Sequence, residues 1–348
     1  MAIMGIDQQK TIRTLRLSLT CIFLFLMTWY YQVPESAWTL VTIWFVMYEY
    51  STVGGVLTKS FLRFAGTVLS AIYGMIVVYF CANNPLINIM ALVPGLFLYA
   101  YFFMGGDKTY IGTIGAVTLT IVLLNYNDID TAVLRVFNVI IGVIGSMFMI
   151  RFFYPQYARD KVLEIQLNFI TQLANLLESY LNPTQSLPSI QTEYLDYERK
   201  MLDGFTLYNR YIGEAKIETK KAPFFIPHSI AAMQHYRRLF RLFSVFIYYL
   251  STEEIRSDPW VCDQLGKLLS NLQALQRQLL KQDEEPERTE ASVGEPEEEI
   301  VIETPNIENK IATEAIVNNM QKEIALLDAE IKEIILIYDV YDIRLNER

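Results

Sequence analysis

Four charged residues lie where an otherwise apolar sequence has few. Glu49, Lys59 and Arg63 fall within one stretch, WTLVTIWFVMYEYSTVGGVLTKSFLRFAGT, and Arg135 opens a later apolar run. A charged side chain inside a bilayer costs about 2.5–3.5 kcal/mol even on the mildest scale, so such groups pair or line a wet cavity. Cations placed this way can concentrate carboxylates at the mouths of a pathway. On that reading Arg63 and Arg135 can face an anion at a pore mouth, and Glu49 is a candidate coupling or salt-bridge carboxylate. Each has a plainer alternative. Glu49 can hold Lys59 or Arg63 in an ion pair, and Arg63 can anchor its helix at the interface. Arg135 can pair with Asp128 or Asp130, and Lys108 in GGDKTY can be a loop anchor.

Covalent and phosphate chemistry find no support. There is no G-x-x-x-x-G-K-[ST], no G-x-G-x-x-G, no H-E-x-x-H and no G-x-S-x-G. The three cysteines, Cys21, Cys81 and Cys262, form no paired framework. His228 and His235, seven apart, can share a helix face but are too few for a zinc site. No enzyme activity, cofactor or metal is expected. Without an ATP site, transport would be passive or driven by an ion gradient.

The elements that carry these residues are apolar helices. The chain has 348 residues, 52% hydrophobic, with a net charge of −9. Charge and hydrophobicity are segregated. Through Tyr154 there are 8 Lys/Arg against 6 Asp/Glu, and the remainder holds 21 against 32. An acidic second half argues against nucleic acid as a partner, because phosphate binding needs a basic face. Six apolar segments are expected, at about Leu15–Val33, Ala37–Val53, Phe64–Ala82, Leu86–Phe103, Tyr110–Tyr126 and Val133–Phe153. Each approaches the ~20 residues that cross a ~30 Å core, although the second and fifth are short. Gly54 to Arg63 reads as a turn between two of them. The first segment follows Lys10, Arg13 and Arg16 as a signal peptide would. No A-x-A-type cleavage site follows, so it is expected to remain as the first span.

Alternate loops carry the positive charge: the N-terminal stretch, Lys59 with Arg63, Lys108, and Arg151 with Arg159 and Lys161. The intervening loops, VPES, NNP and NYNDID, carry none. The positive-inside rule then places both termini in the cytoplasm of a cell whose inner membrane holds the protein.

After Pro155 the pattern becomes amphipathic. Helices are expected over Tyr157–Leu181, Ile190–Lys221, Ser229–Leu250 and Val261–Gln282, and SVFIYYL is too short to be another span. Residues 283–308 read as an acidic disordered linker. Beyond it, Val317, Met320, Ile324, Leu327, Ile331, Ile334, Tyr338, Tyr341 and Leu345 form a coiled-coil-like seam. This C-terminal helix, residues 309–348, is expected to pack antiparallel on the leucines Leu265–Leu279, the alternative being a coil between two subunits. The expected fold is thus an all-α membrane protein. A six-transmembrane-helix bundle (1–154) is followed by a cytoplasmic helical domain (155–282), the linker and the C-terminal coiled-coil-like helix.

The stretch WTLVTIWFVMYEYSTVGGVLTKSFLRFAGTVLSAIYG resembles two related groups. These are the plant aluminium-activated malate transporters and the bacterial fusaric acid resistance or aromatic acid exporter proteins. Trp38, Glu49, Gly54, Lys59, Arg63, Gly66 and Thr67 carry the match. RVFNVIIGVIGSMFMIRFFYPQYARDK adds Arg135, Gly142 and Pro155. The resemblance covers about Leu15–Ala158 and implies a six-span unit that works as a homodimer and moves organic anions. It makes Lys59, Arg63 and Arg135 candidates for an electropositive pathway. The long bacterial members carry two membrane units where this chain has one. Partners expected are membrane lipid, a small organic anion (an aromatic or dicarboxylic acid) and a second copy of the chain. The rival reading is a membrane-anchored helical interaction or scaffold protein with no transport activity.

Overall fold

A computed structural model describes residues 8–81, 85–106, 108–125, 129–218, 224–250, 252–280 and 307–346. Every regular element among them is helical. The chain divides after Ala158 into two compact units.

The first unit contains α1 (Gln8–Tyr30), α2 (Ala37–Met47), α3 (Val53–Cys81), α4 (Pro85–Phe103), α5 (Thr109–Leu124) and α6 (Ile129–Phe152). Four of these, α1, α3, α4 and α6, are long and apolar enough to cross a membrane. The other two, α2 and α5, are apolar but have only 11 and 16 residues. Helix α3 is central: it packs on α5 and α6, while α2 packs on α6 and α4 on α5. Helix α1 lies against α2 and α6. The outward surface of these helices is apolar, including Phe23 and Phe25 on α1, Phe61 on α3, Phe97 on α4 and Phe148 on α6. A soluble helix would carry polar residues there.

Loop geometry follows from local chemistry. Helix α1 closes through Gln32 at φ 48°, with the Val33 amide bonded to the Thr28 carbonyl at 2.9 Å. This is the left-handed closure that uses up orphan carbonyls at a helix end. The chain breaks at Tyr48–Thr52 between α2 and α3. Thr52 then caps α3, its hydroxyl accepting the Gly55 amide at 3.1 Å. The expected turn over Gly54–Arg63 is therefore corrected: these residues form the first three turns of α3. The glycines suggested a turn, but a capping threonine immediately before them starts a helix instead. Two positions show how closely the helices approach. A Cβ on Gly66 would stand 2.9 Å from the Ile111 carbonyl oxygen, and one on Gly142 would stand 2.9 Å from that of Thr39.

The second unit holds α7 (Ala158–Leu181), α8 (Leu187–Glu218) and α9 (Phe225–Val245), which continues as one π-helical turn, Phe246–Leu250. Short α10 (Glu253–Arg256), α11 (Pro259–Leu280) and α12 (Ile307–Asn346) complete it. The core is strongly aromatic. Phe169 contacts the rings of Phe205, Tyr208 and Tyr236, and Tyr180 meets Phe246 edge-on. Arg256 caps the C-terminal end of α7, bonding the carbonyls of Tyr180 (3.0 Å), Gln185 (2.5 Å) and Asn182. The SVFIYYL segment belongs to this unit, with Phe246 and Ile247 buried in its interior.

Along α12, Val317, Met320, Ile324, Leu327, Ile331 and Ile334 are buried, and the helix packs on α9 and α11 of the same chain. The expected antiparallel hairpin with α11 is overturned. Lys310 reaches Asp258 at 3.5 Å and Gln321 reaches Gln264 at 2.7 Å, so both numbers rise together and the helices are parallel. Against α9 the order reverses: His228 meets Glu330 and His235 meets Glu323. The expectation rested on both seams lying in one chain, which does not set their direction, and the 26 residues between the two helices can join them either way. The acidic linker at 283–308 falls almost wholly outside the described residues, as do the side chains of Tyr338, Tyr341 and Leu345.

Candidate functional site: a polar seam between α3 and α6

Helix α2 has two aromatic residues seven apart, Trp38 and Phe45, which a 3.6-residue period places on one side. Each carries a guanidinium. Arg135, from the second turn of α6, sits 3.6 Å from the Trp38 ring centre. Arg63, from the third turn of α3, sits 5.2 Å from that of Phe45. A cation over an aromatic face is worth about 2 kcal/mol when desolvated.

Both arginines are interior, at 3% exposure for Arg63 and 2% for Arg135. Among the described residues neither has a carboxylate within ion-pair distance. The Nε of Arg63 and one terminal nitrogen of Arg135 have no hydrogen-bond partner among the described residues. The two cations are near enough to repel each other, and Glu35 is the acidic group that acts on Arg135. Asp130, expected as a possible partner, is exposed and makes no ion pair with Arg135, and Asp128 lies outside the described residues.

Buried hydroxyls lie along the same two helices. Ser60, Arg63 and Thr67 follow one another at i, i+3 and i+7 on α3, and Ser146 lies three turns beyond Arg135 on α6. Ser60, Thr67 and Ser146 are buried, and their hydroxyls find no partner among the described residues. Asn138, on the same side of α6 as Arg135, is fully used. Its amide donates to the Pro34 and Leu134 carbonyls, and its oxygen accepts from Thr39 at 3.0 Å. That bond set locks α2 to α6. Buried polar groups in proteins are nearly always satisfied. Among the described residues, Arg63, Arg135, Ser60, Thr67 and Ser146 each keep at least one buried polar atom without a partner, on two helices that pack together.

Lys59 is in a different state. Its Nζ lies 2.5 Å from Glu49 and 3.7 Å from the Tyr110 ring centre, with Tyr50 at 5.4 Å. Its side chain is 10% exposed, against 52% for Glu49. Glu49 thus neutralises Lys59 and leaves Arg63 uncompensated. Tyr110 connects the two groups, lying beside Arg63 on one side and Lys59 on the other. Of the expected pathway cations, the structure brings Arg63 and Arg135 together on one seam and ties Lys59 into an ion pair next to it. Lys108 is exposed just before α5.

One residue escaped the sequence reading. Arg16, counted there as an N-terminal surface charge, is 1% exposed. It donates to the Ser51 carbonyl at 2.7 Å and the Tyr154 carbonyl at 3.3 Å, stapling the α2–α3 break to the segment that leaves α6. Helical spacing held the signal, since Arg16, Thr20, Leu24 and Thr28 share a face and all are buried.

The family profile described as "Fusaric acid resistance protein-like" matches residues 20–149, a span that includes Glu49, Lys59, Arg63 and Arg135. The chain is also similar to "Inner membrane protein YeeA" of Escherichia coli (strain K12), 31% identical over 172 residues. That match covers 49% of this chain and 46% of the relative, so the chain spans about half the length of the curated protein it matches. Four helices long and apolar enough to cross a membrane, together with these matches, support a multi-pass membrane protein that is similar to the fusaric acid resistance protein-like family over residues 20–149.

Proposed function

We propose that the protein passes small organic anions across the inner membrane along the α3/α6 seam. The observation that carries this reading is the pair Arg63 and Arg135, buried on packed helices with no carboxylate partner among the described residues. A membrane anchor would send its cations to headgroups, where they are cheap to hold. Two interior guanidinium groups that repel each other are costly unless an anion visits them. The family description, which names resistance to an organic acid, agrees with that charge.

The finer features follow from sequence and resemblance. All six helices of the first unit cross the membrane, α2 and α5 by short paths. Both ends of the chain lie on the cytoplasmic side, where Lys59, Lys108 and Arg151 fall. Aromatic or dicarboxylic acids are the substrates, moved outward passively or by an ion gradient. A homodimer is the working assembly. Lys59 and Glu49 stand at the cytoplasmic end, where opening of their ion pair would free a further cation.

The test is flux of labelled benzoate-type acids and malate in proteoliposomes. Wild-type protein should conduct, and Arg63→Gln and Arg135→Gln should each lower flux about tenfold or more while remaining folded, since each removes a charge worth at least ~1.4 kcal/mol to a desolvated anion. Absence of flux for every organic anion by folded wild-type protein would sink the reading.

A further inference from the structure

The second unit has a groove of about 480 Å³ between α8 and α9. Its floor is apolar and aromatic, formed by Leu202, Phe205 and Phe240, and its rim holds Arg237, Arg238 and Arg241. Arg237 reaches over the Phe205 ring at 5.7 Å. Helix α9 therefore presents cations on two flanks, and only one flank is answered. Toward α12, His228 meets Glu330, and His235 and Arg238 both meet Glu323. Toward the groove, Arg237 and Arg241 stand four apart on the same helix face. Among the described residues neither makes an ion pair. Like charges at that spacing repel and destabilise a helix by a few tenths of a kcal/mol. A solvated lysine pair would be an ordinary surface feature. Two planar guanidinium forks above an aromatic floor form a more specific shape, since arginine binds carboxylates bidentately and stacks on rings.

We infer that this groove is a binding site for a small aromatic carboxylate, with Arg237 and Arg241 gripping the carboxylate and Phe205 and Phe240 receiving the ring. The volume lies within the range of small-molecule sites. The groove is built wholly from residues of the second unit, so it would sense an organic acid through residues other than those of the α3/α6 seam.

The test uses the full chain in zwitterionic-lipid nanodiscs with 2-naphthoate as the probe. Binding is followed by calorimetry and localised by amide hydrogen exchange. The expected result is saturable binding that slows exchange in peptides covering 195–210 and 231–245. Affinity should fall about tenfold or more in Arg237→Gln/Arg241→Gln, the loss expected when charge-assisted bonds are removed. Arg237→Lys/Arg241→Lys keeps the charge, removes the forks and guards against a folding artefact; it should bind several-fold more weakly than wild type. Three results would overturn the inference. One is binding unchanged in the glutamine variant. Another is equal protection of the same peptides by inorganic phosphate, which marks a bare charge patch. The last is protection by anionic-lipid nanodiscs without naphthoate, which marks a lipid-headgroup contact.

Discussion

Replacing Arg135 with methionine should make the protein more stable and less active. The charge is 2% exposed, has no ion pair among the described residues and leaves one nitrogen without a hydrogen bond. Holding it in the membrane interior costs about 2.5–3.5 kcal/mol. Stacking on Trp38 at 3.6 Å returns about 2 kcal/mol. Repulsion from Arg63 adds to the cost, and attraction to Glu35 offsets part of that. Methionine keeps similar length and flexibility and packs well beside an aromatic ring. The balance is a gain of about 1 kcal/mol, in line with the 1–4 kcal/mol gained elsewhere when buried charges give way to apolar side chains. Thermal unfolding of purified protein in one detergent should therefore shift upward by about 2–4 °C. Anion flux in proteoliposomes should fall at the same time. A variant destabilised by more than ~2 kcal/mol would make Arg135 a structural strut. One that keeps full flux would remove it from the pathway. Either result refutes the reasoning.

Three further outcomes are expected. Gly66→Ala should destabilise the membrane unit by about 1–3 kcal/mol, because its new methyl meets the Ile111 carbonyl 2.9 Å away and backbone cannot rotate aside. Gly213→Ala, where nothing lies within 4 Å, should instead stabilise by about 0.5–1 kcal/mol; thermal melts compare the two. Arg16→Gln should lower the melting temperature and speed amide exchange at 48–53, since the Ser51 and Tyr154 carbonyls lose their donor. In the second unit, burial pushes the Tyr194 phenol up to about 12 and raises Tyr208 and Tyr236 as well. Their folded pKa values exceed the unfolded value near 10, so their stabilisation is complete below pH ~10 and is lost as pH rises toward 12. Urea titrations at pH 9 and 11 should show the loss, and Tyr194→Phe should flatten the slope.

The apolar runs were readable because a membrane helix needs length and hydrophobicity, and both are local properties. Four of the six segments became helices long enough to span. The second segment read as short from the sequence, at Ala37–Val53, but its helix stops earlier still, at Met47. Tyr48 and Tyr50 are aromatic enough to extend an apolar count, although the helix has already ended. Arg63 and Arg135 could be singled out by their rarity. What they face could not, since it depends on the packing of α3 on α6 and on aromatic residues of α2. The same holds for Arg16, whose partners are carbonyls 35 and 138 positions away. In the second unit, the buried row of α12 was legible as a periodicity. Its direction was not, because periodicity is the same read forward or backward, and only pairs such as Lys310 with Asp258 fix it.

The brevity of α2 has an electrical consequence. At 1.5 Å per residue its 11 residues span about 16 Å, half the thickness of a hydrocarbon core. In the proposed six-crossing arrangement, the irregular backbone at Tyr48–Thr52 forms the floor of a recess open to the cytoplasmic side, where protein or water satisfies it. Arg16 takes the Ser51 carbonyl, and in that arrangement water would enter the recess beside it. A wet vestibule conducts, so the membrane potential falls over the remaining dry interval instead of over the full bilayer. That interval is the one bracketed by the Phe45–Arg63 and Trp38–Arg135 contacts. An anion crossing it would meet almost all of the ~2.3 kcal/mol per 100 mV over the roughly 10 Å that separate Trp38 from Phe45 along α2. Its rate would therefore follow voltage steeply.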